Sequence, residues 1–137
     1  MLKGVRGVNI AVKDLDAAVK KYTDLLGQQP AKMLGGNDFA APGLKGAAFD
    51  INGFILQLLA GEEGTSIAKF VNSKGEGVFL ISLRSDNVEE DTGKMKEAGA
   101  VFVMDKPMSG SFGTVNFIHP KSTHGVQFEV YDPERRN

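Results

Sequence analysis

The chain has 137 residues, 42% of them hydrophobic, a formal net charge of −1 and no cysteine. That length supports one ordinary domain, or two small modules sharing a core. The near-neutral charge provides no strong field for nucleic acid or an anionic membrane, and the missing cysteines exclude disulfides, thiolate zinc sites and cysteine nucleophiles.

No apolar run approaches the roughly 18 residues a membrane helix needs. The opening "MLKGVRGVNIAV" has neither a signal-peptide core nor a small-residue cleavage site, so a cytoplasmic protein is expected. Val5–Val12 is rich in β-branched residues and reads as a strand. Asp14 stands where a helix N-cap belongs. Leu15, Ala18, Val19, Tyr22, Leu25 and Leu26 then recur at helical spacing up to a stop at Gly27. Residues 31–46 read as a strand followed by a mobile loop. "KGAAFDINGFILQLLA" reads as a hairpin around Asn52-Gly53. "TSIAKFVNSKG" fits a short helix, residues 65–74, with Ile67, Phe70 and Val71 inward.

From Gly77 the pattern restarts. "VFLISLRS" is a strand, and "DNVEEDTGKMKEAGA" a helix with Val88, Thr92, Met95 and Ala98 on one stripe and Gly99 as its stop. "AVFVM" is a strand, "DKPMSGSFG" a loop, and "TVNFIHPKSTHGVQFEVY" a second hairpin with a longer turn. The order is therefore β-α-β-β-β twice. Modules of about 1–62 and 76–132 would join through the short helix into one domain spanning 1–137. A 73-residue shift lays Gly7 on Leu80, and a 72-residue shift lays Gln57 on Glu129. The expected fold is α+β, with two tandem modules forming a curved mixed sheet around a cleft.

"VNIAVKDLDAAVKKYTDLLG", "LQLL", "IAKFVNSKGEG" and "FIHPKSTHGVQFE" resemble the vicinal-oxygen-chelate superfamily of glyoxalase I, bleomycin-resistance proteins and extradiol dioxygenases. Within it they are most similar to the methylmalonyl-CoA epimerase branch, and the likeness covers nearly the whole chain. The resemblance implies a divalent metal held by His, Gln, His and Glu, which stabilises an enolate formed on the substrate. The Gln and Glu match Gln57 and Glu129, whereas the two histidines fall on Gly7 and Leu80. Neither of these carries a donor, so no cofactor is expected. A weakly bound divalent cation on Gln57 and Glu129 is the most the remaining set supports.

Glu129, left in a polar cleft without a metal, is the expected acid–base group. The resemblance also implies a carboxylate base before the first hairpin. Asp38 is the one carboxylate of "GGNDFAAPGLKGAAF", and a solvated turn residue is its plainer reading. Asn9, two residues after Gly7, faces the same side of its strand and offers a carboxamide to substrate. His119 and Lys121 of "HPKST" stand beside the substrate or simply shape the turn, and His124 reads as surface. Phe112, with Met108, Gly110 and Gly113, suits a lid or a plain connection. Leu80, Phe79 and Phe54 make the cleft more apolar.

Three functions stay open on this reading. One is a degraded-metal glyoxalase- or epimerase-like lyase or isomerase that moves a proton next to the carbonyl of a small organic acid or acyl-CoA. Another is a non-catalytic binding protein of the bleomycin-resistance type. The third is a structural or regulatory dimer with a vestigial cleft. A small-molecule ligand and a homodimer are the expected partners, with no nucleic acid and no membrane.

Overall fold

The computed structural model describes residues 1–134. The architecture is α+β. In the first half, strand β1 (Leu2–Ala11) leads into helix α1 (Leu15–Leu26), then strands β2 (Lys32–Gly35), β3 (Leu44–Ile51) and β4 (Phe54–Gly61), and helix α2 (Ser66–Lys74). The second half has β5 (Gly77–Ser85), α3 (Val88–Glu97), β6 (Met108–Gly110), β7 (Gly113–Ile118) and β8 (Phe128–Asp132). Among the described residues, no helix is long and apolar enough to cross a membrane.

The chain forms two compact units, Gly7–Phe79 in one and Leu80 onward together with Met1–Arg6 in the other. In the first unit the strands pair in the order β2-β3-β4-β1, with β1 parallel to β4 and the other pairs antiparallel. In the second the order is β5-β8-β7-β6, again with one parallel pair, β5 with β8. The β-α-β-β-β order expected from the sequence recurs in both halves, with one strand of the second half at a different place.

Local chemistry accounts for the ends of the elements. Asp14 Oδ1 accepts the Ala17 N–H at 3.1 Å, which caps α1, and Gly27 stops it in the left-handed region at φ 69°. The β3–β4 turn places Asn52 and Gly53 at φ 52° and 95°. These are the positive values a two-residue hairpin needs, and Asn-Gly tolerates them. Helix α1 lays Leu15, Ala18, Val19, Tyr22 and Leu26 on one face of the sheet. They meet Ile10 from β1, Ala47 and Phe49 from β3, and Leu56, Leu58 and Ala60 from β4. On the same unit Ile67 and Val71 of α2 pack with Ala11, Leu59, Phe70 and Phe79. In the second unit Val88 and Met95 of α3 cover Ile118, Phe128 and Val130.

Four expectations need correcting. Leu25 is exposed rather than on the buried stripe of α1; it lies beyond the arc that faces the sheet. Ala98 is likewise exposed, as the residue that ends α3. "AVFVM" forms no full strand. Only Phe102 bridges to Ile118, because the Asn116 carboxamide takes over the Met104 backbone, donating to its carbonyl at 3.1 Å and accepting its N–H at 3.4 Å. The third strand of the second half comes instead from the expected loop: Met108–Gly110 pairs with Gly113–Val115.

Candidate functional site

Each unit contributes one parallel strand pair with polar residues in register. In the second unit Ser82 of β5 lies opposite Glu129 of β8. Strand alternation puts Phe128 and Val130 against α3 and turns Glu129 to the other face. Ser82 is fully buried and donates its hydroxyl to Glu129 Oε1 at 2.7 Å. Burial pushes the Glu129 carboxyl above its ordinary value; the Ser82 hydrogen bond and the positive charge of Arg6 pull it part of the way back. Arg6 itself lies 4.9 Å above the Tyr131 ring, and the Tyr131 hydroxyl donates to the Phe112 carbonyl at 2.5 Å. Sequence reasoning passed over Ser82, Arg6 and Tyr131. The repeat held a signal for Ser82, because the 73-residue shift that pairs Gly7 with Leu80 also pairs Asn9 with Ser82.

In the first unit the corresponding register sets Asn9 of β1 opposite Gln57 of β4. Gln57 in turn faces Ala48 of β3, and Ala48 faces Lys32 of β2. This row crosses the sheet on the face turned away from α1, since Leu56 and Leu58 pack on the helix side. Asn9 is 5% exposed. Lys32 donates to Asp38 Oδ1 at 3.1 Å, and the Gly35 N–H donates to Asp38 Oδ2 at 2.9 Å. The Gly35 hydrogen bond, then Lys32, hold the Asp38 carboxyl below the usual carboxylate range. Both Asp38 oxygens are thus engaged in a turn that favours its charged form.

The two positions matched to histidines differ in kind. Leu80 is an aliphatic side chain, 2% exposed. Gly7 lies opposite Ile55, and a Cβ built on it would fall 1.8 Å from the Ile55 carbonyl oxygen and 2.6 Å from its carbon. Backbone atoms cannot swing aside as a flexible side chain can, so no side chain fits there. Among the described residues no three His, Cys, Asp or Glu side chains gather as a metal-binding group. Of the four ligand positions the resemblance implies, Gln57 and Glu129 carry a donor side chain.

The remaining expected residues make local contacts. His119 caps the short turn Pro120–Ser122, its Nδ1 accepting the Lys121 N–H at 3.1 Å. The Ser122 hydroxyl accepts from Val101 N–H and donates to the His119 carbonyl. Thr123 donates to the Val126 carbonyl, and Lys121 is exposed. Phe112 is half-buried and folds over Gly110, whose Cβ would meet the ring at 2.6 Å. Phe79 belongs to the core, edge-on to Phe70 at 5.2 Å, and Phe54 is exposed beside the hairpin turn.

A family model described as Glyoxalase/Bleomycin resistance protein/Dioxygenase superfamily matches residues 4–133. The chain belongs to this superfamily. Among solved structures it is similar to methylmalonyl-CoA epimerase from Mycobacterium tuberculosis, with 30% identity over 96% of this chain and 89% of that one, TM-score 0.85. It is also similar to a variant of Streptomyces coelicolor methylmalonyl-CoA epimerase in complex with 2-nitronate-propionyl-CoA, at 28% identity over 98% and 99% of the two chains, TM-score 0.88. A hypothetical protein from Bacillus halodurans C-125 is 30% identical over 97% and 96%, TM-score 0.83. Comparison with curated protein sequences returns no match.

Proposed function

We propose that this superfamily member acts on a small organic acid or its acyl-CoA thioester, moving a proton at the carbon next to the carbonyl. In this reading no resident metal takes part and Glu129 is the acid–base group. The observation that carries it is the Glu129 carboxyl itself. It is half-buried, partial desolvation raises its proton affinity, and it is held by one hydroxyl, Ser82, with no ion pair among the described residues. A carboxyl whose pKa moves up toward neutrality is a better base when ionised and remains able to return the proton. Glu129 takes the proton from carbon, the electron pair passes into the carbonyl as an enolate, and the same carboxyl returns the proton to carbon.

The structural likeness to methylmalonyl-CoA epimerases supports the acyl-CoA class. Gly7 and Leu80 support the metal-free form, since one position has no room for a side chain and the other no donor. A homodimer and a cytoplasmic setting belong to the same reading; sedimentation measures the first. The test is exchange of the α-proton of methylmalonyl-CoA and propionyl-CoA in heavy water, followed by proton NMR with a chelator present. Exchange should occur and fall by about a hundredfold or more in Glu129→Gln, the span general acid–base catalysis contributes. Exchange that survives the substitution, or that requires added metal, sinks the proposal. The second reading, binding without turnover, draws on the apolar Leu80. It predicts that acyl-CoA raises the melting temperature while no proton exchanges.

A further inference from the structure

Buried carboxamides are almost always hydrogen-bonded, because leaving one unpaired costs about 1–3 kcal/mol. Asn9, which is buried, and Gln57, which is half-buried, have no such partner within the described chain. They lie directly opposite each other on neighbouring strands. Asn9 is 5% exposed, and among the described residues no hydrogen bond reaches either side chain. The sealed side-chain atoms without partners are Thr23 Oγ1 and Thr92 Oγ1. Asn9 is not one of them, so its amide tip is not sealed, on the face of the sheet turned away from α1. On that face the row continues through Ala48, whose single methyl leaves the flank of Gln57 uncovered. Among the described residues, no cation of this row is bonded to the pair. The nearest in the row, Lys32, stands two strands away and is bound to Asp38. The register-equivalent pair in the other unit shows the contrast, for there Ser82 closes on Glu129 at 2.7 Å.

We propose that the Asn9 and Gln57 carboxamides form an oxyanion subsite: their N–H groups receive an anionic oxygen carried beside the carbonyl of an acyl thioester. Fixed amide donors aimed at developing negative charge supply the electrostatic stabilisation that a metal would otherwise give. Because no protein group among the described residues holds these donors, the ligand's oxygen replaces no existing protein hydrogen bond. The inference rests on the acyl-thioester reading above, and it adds Asn9 as the residue that recognises the charge.

The test is calorimetric titration with two probes. 2-Nitronate-propionyl-CoA carries anionic oxygens next to the thioester carbonyl, and propionyl-CoA carries none. The proteins are the wild type, Asn9→Asp and Asn9→Leu, each with and without a chelator. The wild type should prefer the nitronate by at least about tenfold, the worth of one charge-assisted hydrogen bond, whether or not a chelator is present. Asn9→Asp keeps the shape of the side chain but removes the donors, and it should abolish the preference while leaving propionyl-CoA affinity within about threefold. Asn9→Leu should do the same and leave the melting temperature unchanged or higher, since no protein hydrogen bond is lost with the amide. A residue needed only for packing would lower it. A nitronate preference that survives both substitutions, or that a chelator removes, overturns the subsite while the acyl-thioester reading stands. Failure of both probes to bind overturns the two together.

Discussion

The strand pairs β1–β4 and β5–β8 are built on one plan and have been used differently. Each is parallel, each sits across its sheet from a helix, and each brings two polar side chains opposite one another: Asn9 with Gln57, Ser82 with Glu129. The second pair is self-sufficient, a hydroxyl closing on a carboxyl at 2.7 Å. In the first, two carboxamides make no hydrogen bond to the rest of the described chain. Duplication supplies the scaffold twice, and the side chains then decide whether a pair satisfies itself or waits for something else. The same contrast runs through the positions two residues earlier. Leu80 fills its place with a buried hydrocarbon; at Gly7 the β4 backbone comes so close that there is no place to fill.

The largest expected effect tests that last contrast. Gly7→Ala should destabilise the protein by at least about 3 kcal/mol in urea unfolding, because the new methyl meets backbone and cannot be accommodated by a rotamer change. Gly7→His should be worse, so restoring histidine at this position would disrupt the β1–β4 pairing before it could build a metal site. Leu80→Ala should cost about 2–5 kcal/mol by the separate route of cavity formation. If Gly7→Ala is tolerated, the two strands stand further apart than described and a side chain at position 7 becomes admissible.

The Ser82–Glu129 pair gives the next effect. Ser82→Ala removes the one hydroxyl that stabilises the Glu129 carboxylate, and should cost about 1–2 kcal/mol near neutral pH while raising the Glu129 pKa further. Carbon-13 titration of the Glu129 carboxyl reads the direction directly. The pH dependence has a definite sign. Burial raises the folded-state value above the ordinary 4.5, so the folded protein holds a proton that the unfolded chain releases. Stability at this residue therefore falls as pH rises from about 4.5 to the raised value, and is level above it. Glu129→Gln should remove that slope and be the more stable protein at neutral pH. A slope that persists in the variant assigns it to another group. For the first pair the matching comparison is Asn9→Leu, where no ionisable group is involved and no pH dependence should change.

Much of the fold was legible because its signals are local. Asp14 and Gly27 bracket α1 by cap chemistry, Asn52-Gly53 demands its turn, and alternation identifies which residues of β4 face the helix. The third strand of the second half was misplaced because its position is set at long range. Asn116, distant in sequence, takes the Met104 backbone and leaves Phe102 a single bridge, while Met108–Gly110 pairs despite its glycine and serine. Of the candidate site, periodicity could indicate that Asn9 and Gln57 turn away from α1 and Glu129 from α3. It could not show that Ser82 reaches Glu129 while nothing reaches Asn9. Those facts depend on register, and register is fixed by pairing between strands 47 residues apart. The steric closure at Gly7 was equally invisible, since a glycine in a strand reads the same whether its Cβ would meet solvent or a carbonyl oxygen.

The smallest expected effect compares the helices that back the two pairs. In α3, Gly93 lies in open space, with nothing within 4 Å of an added Cβ and no positive φ. It sits mid-helix among Val88–Glu97, where glycine costs about 1 kcal/mol relative to alanine through the freedom it loses on folding. Helix α1 has no such weakness, carrying Ala17, Ala18 and Val19 through its first turns. Gly93→Ala should therefore stabilise the protein by about 0.5–1 kcal/mol, measured as a shift of the urea midpoint at unchanged slope. Because α3 covers Val130 and Phe128, the neighbours of Glu129 on β8, the same substitution asks how firmly that strand is held. If the midpoint rises and the Glu129 titration is unmoved, burial at Glu129 is set by the strands alone. If the titration moves with the helix, the second pair depends on its backing helix for the desolvation that raises the carboxyl.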